Sequence, residues 1–186
     1  MTEKEKMIGG EPYNPTDREL VKGRLNARRL LREIESIPMD KERQRKHFFK
    51  ELFAETGKNF YIENRFTCDY GFNIYWGENS YANFDCIILD AAPVYIGNNV
   101  MMAPGVKLLT ATHPLEFKAR NSGIEYAKPI KIGDNVWIGG GVIVNPGVTI
   151  GNNSVIGSGS VVVKDIPDNV VAVGNPCRVL KKIDNK

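Results

Sequence analysis

An apolar residue returns every six positions through the second half of the chain, at Ile132, Ile138, Val144, Ile150, Ile156 and Val162. A small residue usually follows, as at Gly133, Gly139, Asn145, Gly151 and Gly157. Four positions after each anchor stands Val136, Val142, Val148, Ser154, Ser160 or Ile166. A repeat of this length specifies a parallel β-helix. Each hexad makes one short strand and one turn, and three hexads close a triangular coil. The anchor points into the axis and stacks on the coil above, while the small residue permits the corner. Neighbouring coils complete each other's backbone ladders, so stability accumulates coil by coil.

The same phase runs back to Ile96, Met102 and Leu108. Further back the anchors are Tyr70, Trp76, Ala82 and Ile88, offset by two residues, which places an insertion near 91–94. Between Leu108 and Ile132 the phase survives but the pattern does not. Residues 113–129 read as a structureless loop thrown out of the helix, a type of segment that is often functional. His113, one of only two histidines in the chain, stands at its root.

Residues 1–60 follow a different grammar and read as a helical cap, with 61–186 as the β-helix, its loop and a C-terminal tail. The stretch "TDRE" at 16–19 has the capping-box form, with Thr16 as the cap. Leu20, Ala27, Leu31 and Ile34 follow near helical spacing, and Pro38 ends the segment. Asp40 is placed to cap a second helix with Phe48, Phe49, Leu52 and Phe53 on its apolar face and Gly57 as its stop. The Lys and Arg residues here, and His47 among them, read as a solvated helix face.

The net charge of +3 gives no general electrostatic reason to bind nucleic acid. No apolar run is long enough to span a membrane, and the N-terminus lacks the apolar stretch of a signal peptide. Cys68, Cys86 and Cys177 are odd in number and widely spaced, which points to a reducing, cytoplasmic setting and to buried thiols.

"YANFD" at 81–85, "TATHP" at 110–114, the hexads of 135–171 and "GNPCRV" at 174–179 together resemble the bacterial sugar O-acetyltransferases of the maltose, galactoside and nodulation type. The N-terminal "EKEKMIGGEPY" is similar to the maltose members, so the likeness runs almost end to end. The resemblance implies a mainly β fold, a left-handed parallel β-helix, which departs from the usual crossover hand. It also implies a homotrimer with active sites between subunits, and acetyl transfer from acetyl-CoA to a sugar hydroxyl by direct attack, with no metal required.

In that chemistry a neutral imidazole suits the general base, which assigns His113. Asn83 offers an amide N–H for the developing oxyanion or for the acceptor. As a structural residue it would be a turn asparagine. The resemblance makes Asp69, Tyr81 and Asp90 candidates for the acceptor, by alignment with sugar-contacting positions of the family, and Glu125 and Asp17 join them; carboxylates accept from sugar hydroxyls. Galactoside acetyltransferases carry an Asp pair where this chain reads "LDAA", and an apolar residue where it has Glu125. For Asp17 the competing reading is the first turn of a helix. The CoA site is expected along the late coils, at Trp137, Gly140, Ser158 and Val163, with Lys164 and Arg178 facing the nucleotide phosphates.

Three rival readings meet the same residues. A hexapeptide-repeat carbonic anhydrase needs several nitrogen ligands, and one His follows residue 47. A non-catalytic β-helix scaffold has no use for His113, Asn83 and the loop together. A chloramphenicol or streptogramin acetyltransferase shares the chemistry and changes the acceptor.

Overall fold

A computed structural model describes residues 1–184. Three helices open the chain: α1 (Glu3–Gly9), α2 (Arg18–Ser36) and α3 (Glu42–Leu52). Asp17, not Thr16, caps α2 by accepting from the Glu19 N–H, while the Thr16 hydroxyl donates to Asn14. Lys41 precedes α3 with no side-chain cap, so Asp40 does not serve there. That helix ends at Leu52, five residues before Gly57.

Leu20, Ala27, Leu30 and Ile34 form the buried stripe of α2, with Leu31 only partly covered. Arg45 breaks the expectation of a uniformly solvated basic face. It is buried, and its guanidinium donates to the carbonyls of Ile34, Ile37 and Ile62, tying the end of α2 to the first coil. Phe49 and Phe53 plug the open end of the solenoid. Phe53 stacks on Trp76 at 5.6 Å, and Phe49 meets Phe60 and Phe66 edge-on.

The solenoid begins at β1 (Glu55–Thr56), ahead of the change expected at residue 61, and continues through β2 (Tyr61–Ile62) and β3 (Thr67–Cys68). The second coil is β4 (Ile74–Trp76), β5 (Tyr81–Ala82) and β6 (Ile87–Leu89); the third is β7 (Val94–Ile96), β8 (Met101–Met102) and β9 (Lys107–Leu109). A protrusion follows, made of β10 (Ala111–Thr112), α4 (Phe117–Asn121) and β11 (Tyr126–Ala127). The fourth coil is β12 (Ile130–Ile132), β13 (Trp137–Ile138) and β14 (Ile143–Val144); the fifth is β15 (Thr149–Ile150), β16 (Val155–Ile156) and β17 (Val161–Val162). Finally β18 (Val170–Val173) joins the parallel stack, and β19 (Arg178–Lys182) folds back antiparallel along its edge.

The strands stack into three parallel sheets. The first sheet runs β1-β4-β7-β12-β15, the second runs from β2 to β18 with β19 at its edge, and the third is β3-β6-β9-β14-β17. Each anchor from Trp76 to Val162 is buried on the axis. Tyr70 is the exception to the sequence reading. The axial residue of its rung is Cys68, which pairs with Ile88, and Tyr70 belongs instead to a second cluster with Met7, Tyr13, Leu20, Ala91, Ala92 and Ala127. The two-residue insertion expected near 91–94 therefore has a counterpart between Cys68 and Ile74. Both fall at the third corner, where the chain passes from the third sheet back to the first. The 113–129 segment leaves from that same corner. It is not structureless, because β10 and β11 pair antiparallel and Glu116 caps α4.

The first corner, between the first and second sheets, is held by a ladder of asparagines. Asn59, Asn79, Asn99, Asn135 and Asn153 all have φ between 54 and 58°, a left-handed conformation that asparagine tolerates better than most residues. Each side-chain amide donates to the next, ending on Asn169, at 2.9–3.3 Å. Two positions earlier the chain needs no side chain at all, since a Cβ on Gly77 would fall on the Gly97 carbonyl. Asn99→Ala should lose about 2 kcal/mol, because alanine pays about 1–2 kcal/mol for the left-handed conformation and drops two ladder bonds. Asn99→Gly should lose less than half of that. Urea unfolding of both variants checks the order.

Candidate active site

The third corner gathers most of the polar side chains singled out from the sequence. A cavity of about 270 Å³ opens there, lined by Tyr13, Thr16, Arg24, Asp69, Tyr70 and Glu125 among others. The second hydrophobic cluster lies beneath it and joins the helical cap to the corner. Tyr13 and Glu125 exchange backbone hydrogen bonds at 3.1 and 3.2 Å, and the Tyr13 hydroxyl donates to the Glu125 carboxylate at 2.7 Å. The N-terminal segment thus braces the protruding hairpin. Arg24, from α2, donates to the Tyr70 hydroxyl and to the Pro15 carbonyl, both at 2.7 Å.

Asp69 faces this cavity half-buried, and among the described residues nothing hydrogen-bonds to its carboxylate. Burial pushes its carboxyl above the usual range, partly offset by Arg24. Burial, then the bond to Glu125, also pushes the Tyr13 phenol up, so it stays a proton donor.

His113 is exposed and follows β10 directly. Thr112 pairs with Tyr126 in the hairpin, so His113 and Glu125 stand just beyond the last paired rung, and Glu125 lines the cavity. Its imidazole has no hydrogen-bond partner among the described residues. An imidazole with an unpartnered nitrogen can take a proton from a hydroxyl brought within its reach.

Asp90 does not contact an acceptor. It is fully buried, and its carboxylate accepts from the backbone N–H groups of Asp69, Tyr70 and Asn73 at 3.1, 2.8 and 3.3 Å. It shapes the corner from beneath. Burial pushes its carboxyl up to about 6, against the pull of these N–H donors.

The second corner, between the second and third sheets, carries the other set. Asn83 stands at its first position in the second coil. Its side-chain oxygen accepts from the Phe84 N–H at 2.8 Å, and its NH₂ group has no partner among the described residues. Tyr81 lies just before it on the outer face of the second sheet, stacked on Tyr61 at 6.1 Å. Met101 and Trp137 continue that outer column and are 53% and 51% exposed. Gly140 donates its N–H to the Ser158 hydroxyl at 3.1 Å and accepts from the Gly159 N–H at 2.8 Å. Both its backbone groups are engaged within the stack, so Gly140 contributes an absent side chain rather than a donor. Arg178 is exposed at the start of β19, whereas Val163 and Lys164 are exposed beyond β17, at the third corner.

Within one chain, then, His113, Asp69 and Glu125 meet at the third corner with Lys164 further along it. Asn83, Gly140 and Ser158 meet at the second, with Tyr81, Trp137 and Arg178 on the adjoining sheet. The fold does not bring the two sets together in a single protomer. Asp17 caps α2 through its Oδ1, beside Thr16 at the cavity wall. Sequence reasoning missed Tyr13, Arg24 and Tyr70. No local motif marks Arg24, Tyr13 entered only as the last residue of "EKEKMIGGEPY", and Tyr70 was absorbed into the hexad count. Among the described residues no three His, Cys, Asp or Glu side chains converge as a metal-binding group. The three cysteines are free and buried, and no described helix is long and apolar enough to cross a membrane.

Residues 6–57 match the maltose acetyltransferase hexapeptide capping motif, and residues 129–164 match six bacterial transferase hexapeptide repeats. The crystal structure of a maltose O-acetyltransferase from Clostridium difficile 630 superposes with a TM-score of 0.98 at 55% identity, covering 100% of this chain and 99% of that one. Galactoside acetyltransferase in complex with coenzyme A superposes with a TM-score of 0.95 at 44% identity, covering 100% and 92%. A putative acetyltransferase of Dictyostelium discoideum is 53% identical over 100% of this chain and 97% of its own length.

Proposed function

The chain belongs to the hexapeptide-repeat acetyltransferases of the maltose and galactoside type, and from that membership we propose that it moves an acetyl group from acetyl-CoA to a hydroxyl of maltose or glucose. The observation that carries the reading is the exposed imidazole of His113, unpartnered among the described residues, one residue beyond the hairpin rung next to Glu125, which lines a polar cavity.

The acceptor sugar lies in the third-corner cavity, where Asp69 and Glu125 accept from its hydroxyls and Arg24 keeps Tyr70 in place. His113 removes the proton of the attacking hydroxyl as the new C–O bond forms, and returns it to the departing sulfur. The NH₂ of Asn83 donates where negative charge builds on the carbonyl oxygen. Acetyl-CoA supplies the acetyl group when bound. The residues present fit it: the half-exposed Met101–Trp137 column and the side-chain-free corner at Gly140 suit a pantetheine arm, and Lys164 and Arg178 suit its phosphates.

Because His113 and Asn83 stand on different corners, the complete site needs two protomers, the third corner of one against the second corner of the next. A ring of three left-handed solenoids closes such contacts. The reading extends to the cytoplasm, supported by three free, buried thiols.

Thiol release from acetyl-CoA is the test, with maltose, glucose, a galactoside and chloramphenicol as acceptors. Turnover with maltose or glucose is expected. Turnover with chloramphenicol alone moves the acceptor class. No turnover and no CoA binding returns the chain to a scaffold.

A further inference from the structure

The second corner recurs in every coil and always has one residue in the left-handed conformation. In the third, fourth and fifth coils that residue is glycine: Gly105, Gly141 and Gly159, with φ of 71, 68 and 73°. In the first and second coils it is Arg65 and Asp85, with φ of 62 and 61°. Neither is a residue that favours this backbone as glycine does. The two stand one above the other and form a two-pronged ion pair, Arg65 Nε to Asp85 Oδ1 at 2.6 Å and Arg65 Nη2 to Asp85 Oδ2 at 2.9 Å. The pair lowers the Asp85 carboxyl and raises the Arg65 guanidinium from their ordinary ranges.

The pair sits beside one particular group. Asp85 is two residues after Asn83, and the residue between them is Phe84, whose N–H fixes the Asn83 side chain. The Arg65 guanidinium also lies 5.5 Å from the Phe84 ring centre. Arg65 is itself anchored, since its backbone N–H donates to Glu35 of α2 at 3.1 Å. A continuous line of contacts therefore runs from α2 through Arg65 to Asp85 and Phe84, and ends on the amide of Asn83.

We propose that the Arg65–Asp85 ion pair is a positioning device that sets the direction of the Asn83 NH₂ group during acetyl transfer. This rests on the reading of Asn83 as the donor to the developing oxyanion. Both partners are more than half exposed, so the pair adds little to stability. Its contribution falls on kcat instead, because a donor displaced by a fraction of an ångström loses much of its effect on the transition state.

The test is steady-state kinetics with acetyl-CoA and whichever of glucose or maltose turns over faster. Asp85→Gly and Arg65→Gly keep the left-handed backbone and remove the clamp. Each should lower kcat by about tenfold or more, with the acceptor KM within about twofold of wild type and the melting temperature nearly unchanged. The exchanged pair, Arg65→Asp with Asp85→Arg, should recover most of the loss. In an Asn83→Ala background Asp85→Gly should cost nothing further, because the group it positions is gone. If Asn83→Ala abolishes turnover while the two glycine variants keep full kcat, the positioning role is overturned and the reading of Asn83 stands. If the glycine variants are slow but the exchanged pair is not rescued, the ion pair is not the cause. If Asn83→Ala keeps full kcat, the reading of Asn83 falls and the proposal with it.

Discussion

Replacing His113 by alanine should slow acetyl transfer by about 10²–10⁴-fold, the usual range for a lost general base, and leave the fold intact. The structure accounts for the second half of that expectation. The side chain is exposed and makes no hydrogen bond among the described residues, so its removal leaves no cavity and no orphaned partner. Melting temperature and the KM for acetyl-CoA should stay close to wild type. A second experiment separates a site within one chain from a site between chains. Mixing denatured His113→Ala and Asn83→Ala proteins in equal amounts and refolding them together should restore activity in about a quarter of the sites of a ring assembly. Those sites take His113 from one protomer and Asn83 from its neighbour. No recovery in a mixture that has demonstrably exchanged subunits would put both groups in one chain and contradict their placement on separate corners.

The second large effect is expected at Asp90, on stability. Asp90→Ala strips three backbone N–H groups of their acceptor in a place that water does not reach. Each buried donor left unpaired costs about 1–3 kcal/mol, and three neighbouring ones share some relaxation, so a loss of about 3 kcal/mol is expected. The loss should depend on pH in a defined direction. Burial raises the Asp90 carboxyl to about 6 in the folded protein, above its ordinary value of about 3.9. The folded state then holds a proton that the unfolded chain has released. The stabilisation is complete below about pH 4 and fades as pH rises through 6. The penalty of Asp90→Ala should therefore be larger at pH 4.5 than at pH 7. Urea unfolding at both pH values and one fixed protein concentration checks it. A penalty that grows with pH would mean that the N–H donors outweigh burial. The variant should also weaken acceptor binding, because Asp69 and Tyr70 take their orientation from Asp90.

The coils were legible because each anchor is buried on an axis that repeats every three hexads, so the signal is local and accumulates. The same arithmetic misled at Tyr70, which stands six residues before Trp76 by coincidence. The true predecessor of that rung is Cys68, and the corner between them holds two extra residues. Thr16 and Asp17 illustrate a finer limit. Both cap helices well, and only the placement of Asn14, which engages the Thr16 hydroxyl, decides between them. Of the residues lining the cavity, Asp69 was reached through family resemblance and Glu125 as a departure from it. Arg24 and Tyr13 were not, because helix docking and a single antiparallel bridge bring them in from far along the chain. Asp90 was found for the wrong reason. Its residue type signalled importance, but the direction of its carboxylate is a tertiary fact.

The protruding hairpin has an unusual length. Asn135 and Asn153 of the ladder lie 18 apart, yet Asn99 reaches Asn135 across 36. The excursion that carries His113 and Glu125 diverts one whole coil's length of chain away from the solenoid, and the rungs on either side resume in step. The segment behaves as an interchangeable cartridge. Its content can change while every rung keeps the neighbour it had before.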